Sequence, residues 1–257
     1  LKQLWSRLNV CMNAFQMDSN VVLPALEKEP FSQEVTTRLL NHEVLKEIRT
    51  GKLPKDQATQ LLKMLLHEQY FVCNSDLRSL TLSCERFSKI EGYKVFLEFF
   101  RDGEAFALGE HGKLCQLLQL TEQQLEAHMP HHKCQAYPSY FCSILLHHPP
   151  VVAAAAFHVN FPAWGQMCRI LRDSLVEHYG YQKEDLGFLD FFATPISNLR
   201  ELVDNVFAAA NAEGDVVSYA QMQRSVRLLQ DYEVLFWDGI WEQLNPNRTS
   251  ESGCRLS

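Results

Sequence analysis

The sequence lacks the features that place a protein in a membrane, on nucleic acid or in an oxidising compartment. No apolar run reaches the roughly 18 residues of a transmembrane helix, and the longest lies around Val151–Phe157. The 24 Lys and Arg residues are outnumbered by 31 Asp and Glu and form no long cluster, which argues against a nucleic-acid partner. None of the eight cysteines forms a CxxC pair, and Leu1–Val10 has no signal-peptide core. We therefore expect a cytoplasmic protein with free thiols and with neither membrane nor nucleic acid as partner.

Strand-like alternation of apolar and polar residues is nearly absent, whereas apolar residues recur at spacings of three and four. This periodicity predicts a single all-α bundle over residues 41–244, after a helical extension at 1–40 and before a polar, disordered tail at 245–257. We expect separate helices over about 85–100 and 111–120, and a kink or break at Pro162. No HExxH motif or Cys/His metal spacing is present, so no metal or other cofactor is predicted.

The segment Leu228–Trp241 contains an acid in an unusual environment. On a helix, Glu233 would lie beside Leu229, Phe236, Trp237 and Ile240, at offsets of three, four and seven residues. A carboxylate on such an apolar face is destabilising unless it is paired or takes part in chemistry. Glu233 is therefore the first candidate for a catalytic residue.

A second acid, Glu68, has a similar pattern. Leu61, Leu65 and Val72 share its stripe on the helix that begins near Pro54. Two carboxylates facing each other inside a bundle can share a proton, so that one acts as an acid and the other as a base. Alternatively, each acid binds a buried Tyr, His or Arg and only fixes the packing.

Aromatic residues could complete a site around these acids. Tyr137 and Tyr140 are three residues apart on one predicted helix, beside Pro138. Six further aromatic side chains either belong to the hydrophobic core or line a flat, apolar pocket for a small heteroaromatic molecule. They are Tyr70, Phe71, Phe161, Trp164, Phe236 and Trp237.

Four segments resemble motifs of the TenA/THI-4 family, whose fold is the heme-oxygenase-like helical bundle. Tyr232–Asp238 is similar to the family's Tyr-Glu-x-x-Phe-Trp-Asp/Glu, and Ala136–Tyr140 is similar to its Ala-Tyr-x-x-Tyr. His67–Val72 is similar to Gln-Asp-x-Tyr-Tyr-Leu, with Glu68 in place of Asp, and Glu47–Pro54 contains the pattern Ile-x-x-Gly-x-Leu-Pro. The resemblance spans roughly residues 41–243.

This resemblance implies chemistry on aminopyrimidines. Family members hydrolyse a C–N bond in thiamine or in its breakdown product aminomethyl-aminopyrimidine, without a metal, and form dimers or tetramers. By correspondence, Glu233 is the catalytic acid, Glu68 binds the pyrimidine, and Tyr137 is the active-site tyrosine. Tyr140, Trp164, Tyr70, Phe71 and Trp237 are the further residues expected to bind substrate.

The sequence departs from the family at the nucleophile. The family's Pro-Cys-x-Trp-x-Tyr segment should fall within Val159–Gly165, but no cysteine occurs from 143 to 167. A branch of the family lacks this cysteine and relies on paired acids.

Two alternative functions stay open: a small-molecule-binding or regulatory protein that has lost catalysis, and a diiron oxygenase of the same fold. The diiron motif would fall after Phe191–Phe192, where Pro195, Leu199 and Leu202 cannot bind iron.

Overall fold

The computed structural model describes residues 17–246, and this part of the chain contains helices without strands, as predicted. Residues 1–16 of the predicted extension at 1–40 lie outside the described residues. So do residues 247–257 of the predicted tail at 245–257. In chain order the α-helices are α1 (Ser19–Lys28), α2 (Pro30–Leu40), α3 (Glu43–Arg49), α4 (Lys55–Arg86), α5 (Glu91–Leu117), α6 (Glu122–Ala127), α7 (His132–His147), α8 (Pro150–Tyr179), α9 (Gly187–Ala193), α10 (Leu199–Glu213) and α11 (Tyr219–Leu244). A 3₁₀ turn at Lys183–Leu186 precedes α9.

Local sequence signals set the ends of the long helices. Pro54 precedes the first turn of α4, and Ser218 caps α11 by accepting a hydrogen bond from the backbone N–H of Gln221 at 3.2 Å. α8 ends at Gly180, whose φ of 77° is a left-handed conformation that glycine adopts without strain. These signals determine where the long helices begin and end.

The long helices α4, α5, α7, α8 and α11 form the bundle, and α4 packs along both α5 and α7. The N-terminal helices α1 and α2 contact α8 and α11, and their residues Leu23, Leu26 and Leu39 are fully buried. These buried leucines make α1 and α2 part of the hydrophobic core. No helix of residues 17–246 is long and apolar enough to cross a membrane.

Two predicted helix breaks are wrong. α5 runs unbroken through Gly103, although glycine costs about 1 kcal/mol in a helix interior. Burial of Phe100, Glu104, Ala107 and His111 at steps of four, three and four residues keeps this stretch helical. α8 likewise continues through Pro162, so the predicted split is wrong, while a kink at Pro162 stays a prediction. In both places the tertiary packing outweighs the local preference.

Candidate functional site

A partly enclosed cavity lies inside the bundle, with about 460 Å³ of empty space that includes the solvent at its mouth. It is lined by side chains from α4, α5, α7, α8, α9 and α11: Gln69, Val72, Asp76, Glu104, Tyr137, Asn160, Phe161, Trp164, Phe192, Glu233 and Phe236. Aromatic rings therefore make much of its wall, and the polar groups that face it include three carboxyl groups.

Glu233 lies where the sequence predicts an unusual acid. It is only 2% exposed, and neither carboxyl oxygen has a hydrogen-bond partner of normal geometry within the described residues. Burial raises its pKa to about 8, and the nearby Asn160 amide opposes part of this rise. At neutral pH the carboxyl group is therefore mainly protonated and able to donate a proton.

Asp76 and Glu104 form a second acid site in the same cavity. They extend from the neighbouring helices α4 and α5 and are 2% and 8% exposed. Burial raises the pKa of both groups, and the charge of Glu104 raises that of Asp76 further. Both carboxyl groups are therefore protonated more readily than ordinary surface acids.

The cavity-facing row of α4 consists of Gln69, Val72 and Asp76, at steps of three and four residues. Glu68 precedes this row by one position, which turns its side chain by about 100° around the helix. The carboxylate is fully buried but lies outside the cavity lining. We expected Glu68 and Glu233 to face the same cavity, but only Glu233 of these two acids lines it.

Glu68 instead holds the loop before α7. Its Oε1 accepts hydrogen bonds from His128 Nε2 at 2.9 Å, from the backbone N–H of His131 at 2.9 Å and from Gln243 Nε2 at 3.1 Å. These contacts match the alternative in which a buried acid fixes packing. Whether Glu68 also acts in catalysis stays a prediction without a test.

Four of the predicted aromatic residues line the cavity, namely Tyr137, Phe161, Trp164 and Phe236. Burial raises the pKa of the Tyr137 hydroxyl, and the charges of Asp76, Glu233 and Glu104 raise it further. The Tyr137 hydroxyl is therefore influenced electrostatically by both acid sites.

Trp237 lies behind the lining rather than in it. It is fully buried, and its ring centroid is 5.7 Å from those of Trp164 and Phe236. Trp237 therefore supports the wall from behind.

The remaining predicted contacts lie elsewhere. Tyr70 packs edge-on against Phe71 with a centroid distance of 5.4 Å, and Phe71 contacts His128. The Tyr140 hydroxyl donates a hydrogen bond to Ser225 Oγ at 3.4 Å, and its ring contacts Tyr232. None of these three predicted residues lines the cavity. Each side chain lies on a helix face that points away from the cavity, and the sequence motif does not indicate which face this is.

Asp76 and Glu104 are missing from the sequence prediction, although the sequence contains a signal for both. Asp76 lies between buried Val72 and Leu80 at offsets of four, and Glu104 interrupts the buried stripe of α5. The rule that singles out Glu233, an acid on an apolar helix face, applies to both. Applying it along every helix would have found them.

No cysteine is among the residues that line this cavity in the described part of the chain. Cys73 and Cys168 are close to lining residues: Cys73 Sγ donates a hydrogen bond to Gln69 Oε1 at 3.7 Å, and Glu233 influences Cys168. Burial raises the pKa of both thiols well above its usual value, which keeps them protonated and weakly nucleophilic.

Residues 17–246 also contain no group of three or more His, Cys, Asp or Glu side chains placed to hold a metal ion. The diiron alternative thus has no ligand set in this part of the chain.

Solved structures share this fold. A TenA homologue from Pyrococcus horikoshii OT3 superposes with a TM-score of 0.66 at 14% identity, covering 86% of this chain and 98% of the other. A TenA homologue from Pseudomonas syringae pv. tomato gives 0.66 at 15% identity, with coverages of 86% and 93%. A structure from Silicibacter sp. TM1040, described as a TenA family transcription regulator, gives 0.61 at 15% identity, with coverages of 85% and 96%.

The fold and its internal acid-bearing cavity define the protein as a TenA-like helical bundle. Residues 30–243 match the sequence profile of the TENA/THI-4/PQQC family. The chain belongs to this family, and the match begins in the extension predicted for residues 1–40. No curated protein matches the chain.

Proposed function

We propose that the protein hydrolyses a C–N bond in an aminopyrimidine or a closely related small heteroaromatic amine. The single observation that carries this proposal is Glu233, an unpaired carboxyl group buried in an aromatic cavity with its pKa raised to about 8. Membership of the family, together with the sequence motif around Glu233, supports the choice of substrate class.

In the proposed reaction, water replaces an amine on the methylene carbon attached to the ring. Protonated Glu233 donates its proton to the leaving nitrogen as the C–N bond breaks. The resulting carboxylate accepts a proton from water, whose oxygen forms the new C–O bond, so the products are an alcohol and ammonia. An acid with a pKa near the working pH suits both steps.

The aromatic rings of the cavity would hold the heterocycle. Trp164, Phe161 and Phe236 present ring surfaces for stacking, and the Tyr137 hydroxyl and Asn160 amide offer hydrogen bonds. No covalent step through cysteine is part of this proposal, because burial raises the pKa of the nearby thiols and none lines the cavity. Catalysis by acid and base accounts for the reaction instead.

We further propose that the protein works in the cytoplasm as a homo-oligomer, a dimer or a tetramer. Size-exclusion chromatography with light scattering measures the oligomeric state, and a monomer at micromolar concentration would contradict this part of the proposal.

A second candidate is a ligand-binding or regulatory protein of the same fold without catalysis. The absence of a cysteine among the lining residues favours it, because the cavity remains while the nucleophile implied by the family motifs is missing. One structural neighbour is also described as a transcription regulator.

Ammonia release separates the two candidates. Purified protein is incubated with aminomethyl-aminopyrimidine and, separately, with thiamine, while calorimetry measures binding of each. We expect ammonia and the hydroxymethyl product from the first compound. Binding without turnover supports the regulatory candidate, and failure of both compounds to bind contradicts the proposed substrate class.

A further inference from the structure

The cavity contains acids without matching cations. Its lining includes Asp76, Glu104 and Glu233, and none of the described lining residues is Lys, Arg or His. Asp76 Oδ1 and both oxygens of Glu233 are buried without a hydrogen-bond partner. Outside the cavity, Glu68 Oε1 binds His128, although Glu68 Oε2 is also buried without a partner.

Such an arrangement is costly in the free protein. A buried polar atom without a hydrogen bond destabilises the fold, and an unpaired buried charge destabilises it more. A ligand that brings hydrogen-bond donors or positive charge removes this cost on binding. A phosphate ester or another anion would add to it. The lining therefore favours a cationic ligand over a neutral or anionic one of the same shape.

The acids lie at two separate places in the cavity. Asp76 and Glu104 come from α4 and α5, which pack against each other, whereas Glu233 comes from α11, which packs mainly against α7 and α8. The neighbours that influence Asp76 are Glu104 and Cys142, and the polar neighbour of Glu233 is Asn160. The charges at both places influence the Tyr137 hydroxyl.

We propose that Asp76 and Glu104 form a cation-binding subsite, which holds a protonated amine or amidinium group of the ligand away from the bond that Glu233 acts on. This inference rests on the proposed function for the role of Glu233. Two carboxyl groups on adjacent helices can accept two N–H donors of a planar cationic group, a geometry that favours charge-assisted hydrogen bonds. The subsite selects ligands by charge, and the aromatic wall selects them by shape.

Benzamidine and benzamide are suitable probes, because they have nearly the same shape and differ in charge. Isothermal titration calorimetry measures their dissociation constants with the wild-type protein, with the double variant Asp76→Asn/Glu104→Gln, and with Glu233→Gln. The control Asp102→Asn removes an exposed acid from the same helix α5, two residues from Glu104. Thermal melts verify folding, and Glu104→Gln alone serves if the double variant does not fold.

We expect wild type and Asp102→Asn to bind benzamidine at least tenfold more tightly than benzamide, and Glu233→Gln to keep the part of this preference that Asp76 and Glu104 supply. The ratio should fall to about one in the double variant. The inference is overturned if wild type shows no preference, if neither probe binds at millimolar concentration, or if the double variant keeps the preference.

The ammonia-release assay separates this inference from the proposed function. Charge preference that depends on Asp76 and Glu104, without turnover of either aminopyrimidine, supports the subsite and rejects the hydrolase. Turnover by a wild-type protein that does not prefer benzamidine rejects the subsite and supports the hydrolase.

Discussion

Glu68 and Gln69 are neighbours on α4, yet Gln69 lines the cavity while the Glu68 carboxylate binds His128 Nε2 at 2.9 Å on another face of the helix. A shift of one position in a helix moves a side chain by about 100°, which is enough to exchange a substrate contact for a structural one. The family motif places an acid in this segment, and the cavity acid on the same helix is Asp76, two turns further along.

We predict that Glu68→Ala lowers the free energy of unfolding by about 3 kcal/mol, because it leaves His128 and the His131 N–H without their buried acceptor. Urea unfolding followed by circular dichroism measures this change. The control Glu126→Ala removes an exposed acid from α6 and should change stability by less than about 0.5 kcal/mol.

A second substitution at this position tests the acid–base role that the paired-acid pattern predicts for Glu68. In Glu68→Gln, which keeps an acceptor oxygen, we predict turnover within about threefold of wild type, since the side chain lies outside the cavity lining. A loss above about 100-fold with unchanged stability would instead support catalysis by Glu68.

Stability should fall as the pH rises through neutrality, and Glu233 should account for part of this fall. Its folded pKa of about 8 exceeds the ordinary value of 4.5, so the folded protein binds more protons than the unfolded chain between these values. In Glu233→Gln the decrease between pH 5 and 8 should be shallower, by at most about 1.4 kcal/mol per pH unit.

Urea titrations at pH 5, 6, 7 and 8 give the difference between the two proteins. Glu104, whose pKa is also raised, is present in both proteins, so its contribution cancels when they are subtracted. Equal slopes for wild type and variant would show that the Glu233 pKa is ordinary in the folded state.

Trp164→Ala should weaken binding of aminomethyl-aminopyrimidine by about tenfold, because the indole forms part of the cavity wall and offers a stacking surface. Trp164→Phe keeps an aromatic ring and should restore most of the affinity. Calorimetric dissociation constants measure both. Equal binding by wild type and Trp164→Ala would place the ligand elsewhere.

Cysteine modification should leave activity intact. Burial raises the pKa of Cys73 and Cys168, so iodoacetamide at pH 8 should leave both unmodified and should change turnover by less than about twofold. Peptide mass spectrometry locates the modified thiols. The protein is prepared with Cys142→Ser, because Cys142 is the half-buried thiol among the described cysteines. Inactivation that follows labelling of Cys73 or Cys168 would restore a cysteine mechanism.

Periodicity was sufficient to predict the all-α fold, because the apolar stripe of an amphipathic helix is a strong local signal. Helix breaks were less predictable. α5 continues through Gly103 because neighbouring residues are buried against other helices, and this burial is decided by the tertiary structure.

The site was predictable in part for the same reason. Glu233, Tyr137 and Trp164 were singled out from pattern and motif, and all three line the cavity. Glu68 and Tyr140 have equally suggestive neighbours in sequence but face other parts of the bundle. Which face of a buried helix meets a cavity depends on how several helices pack, and one helix's pattern does not contain this information.

The most direct test of the account is the rate of ammonia release from aminomethyl-aminopyrimidine by wild type and by Glu233→Gln at pH 7. The matched control is Asp231→Asn, which removes a partly exposed acid from the same helix, where it pairs with Arg227. The account predicts turnover by wild type and Asp231→Asn, and a loss of at least about 100-fold in Glu233→Gln with substrate binding retained. Equal rates in wild type and a folded Glu233→Gln would contradict its central claim.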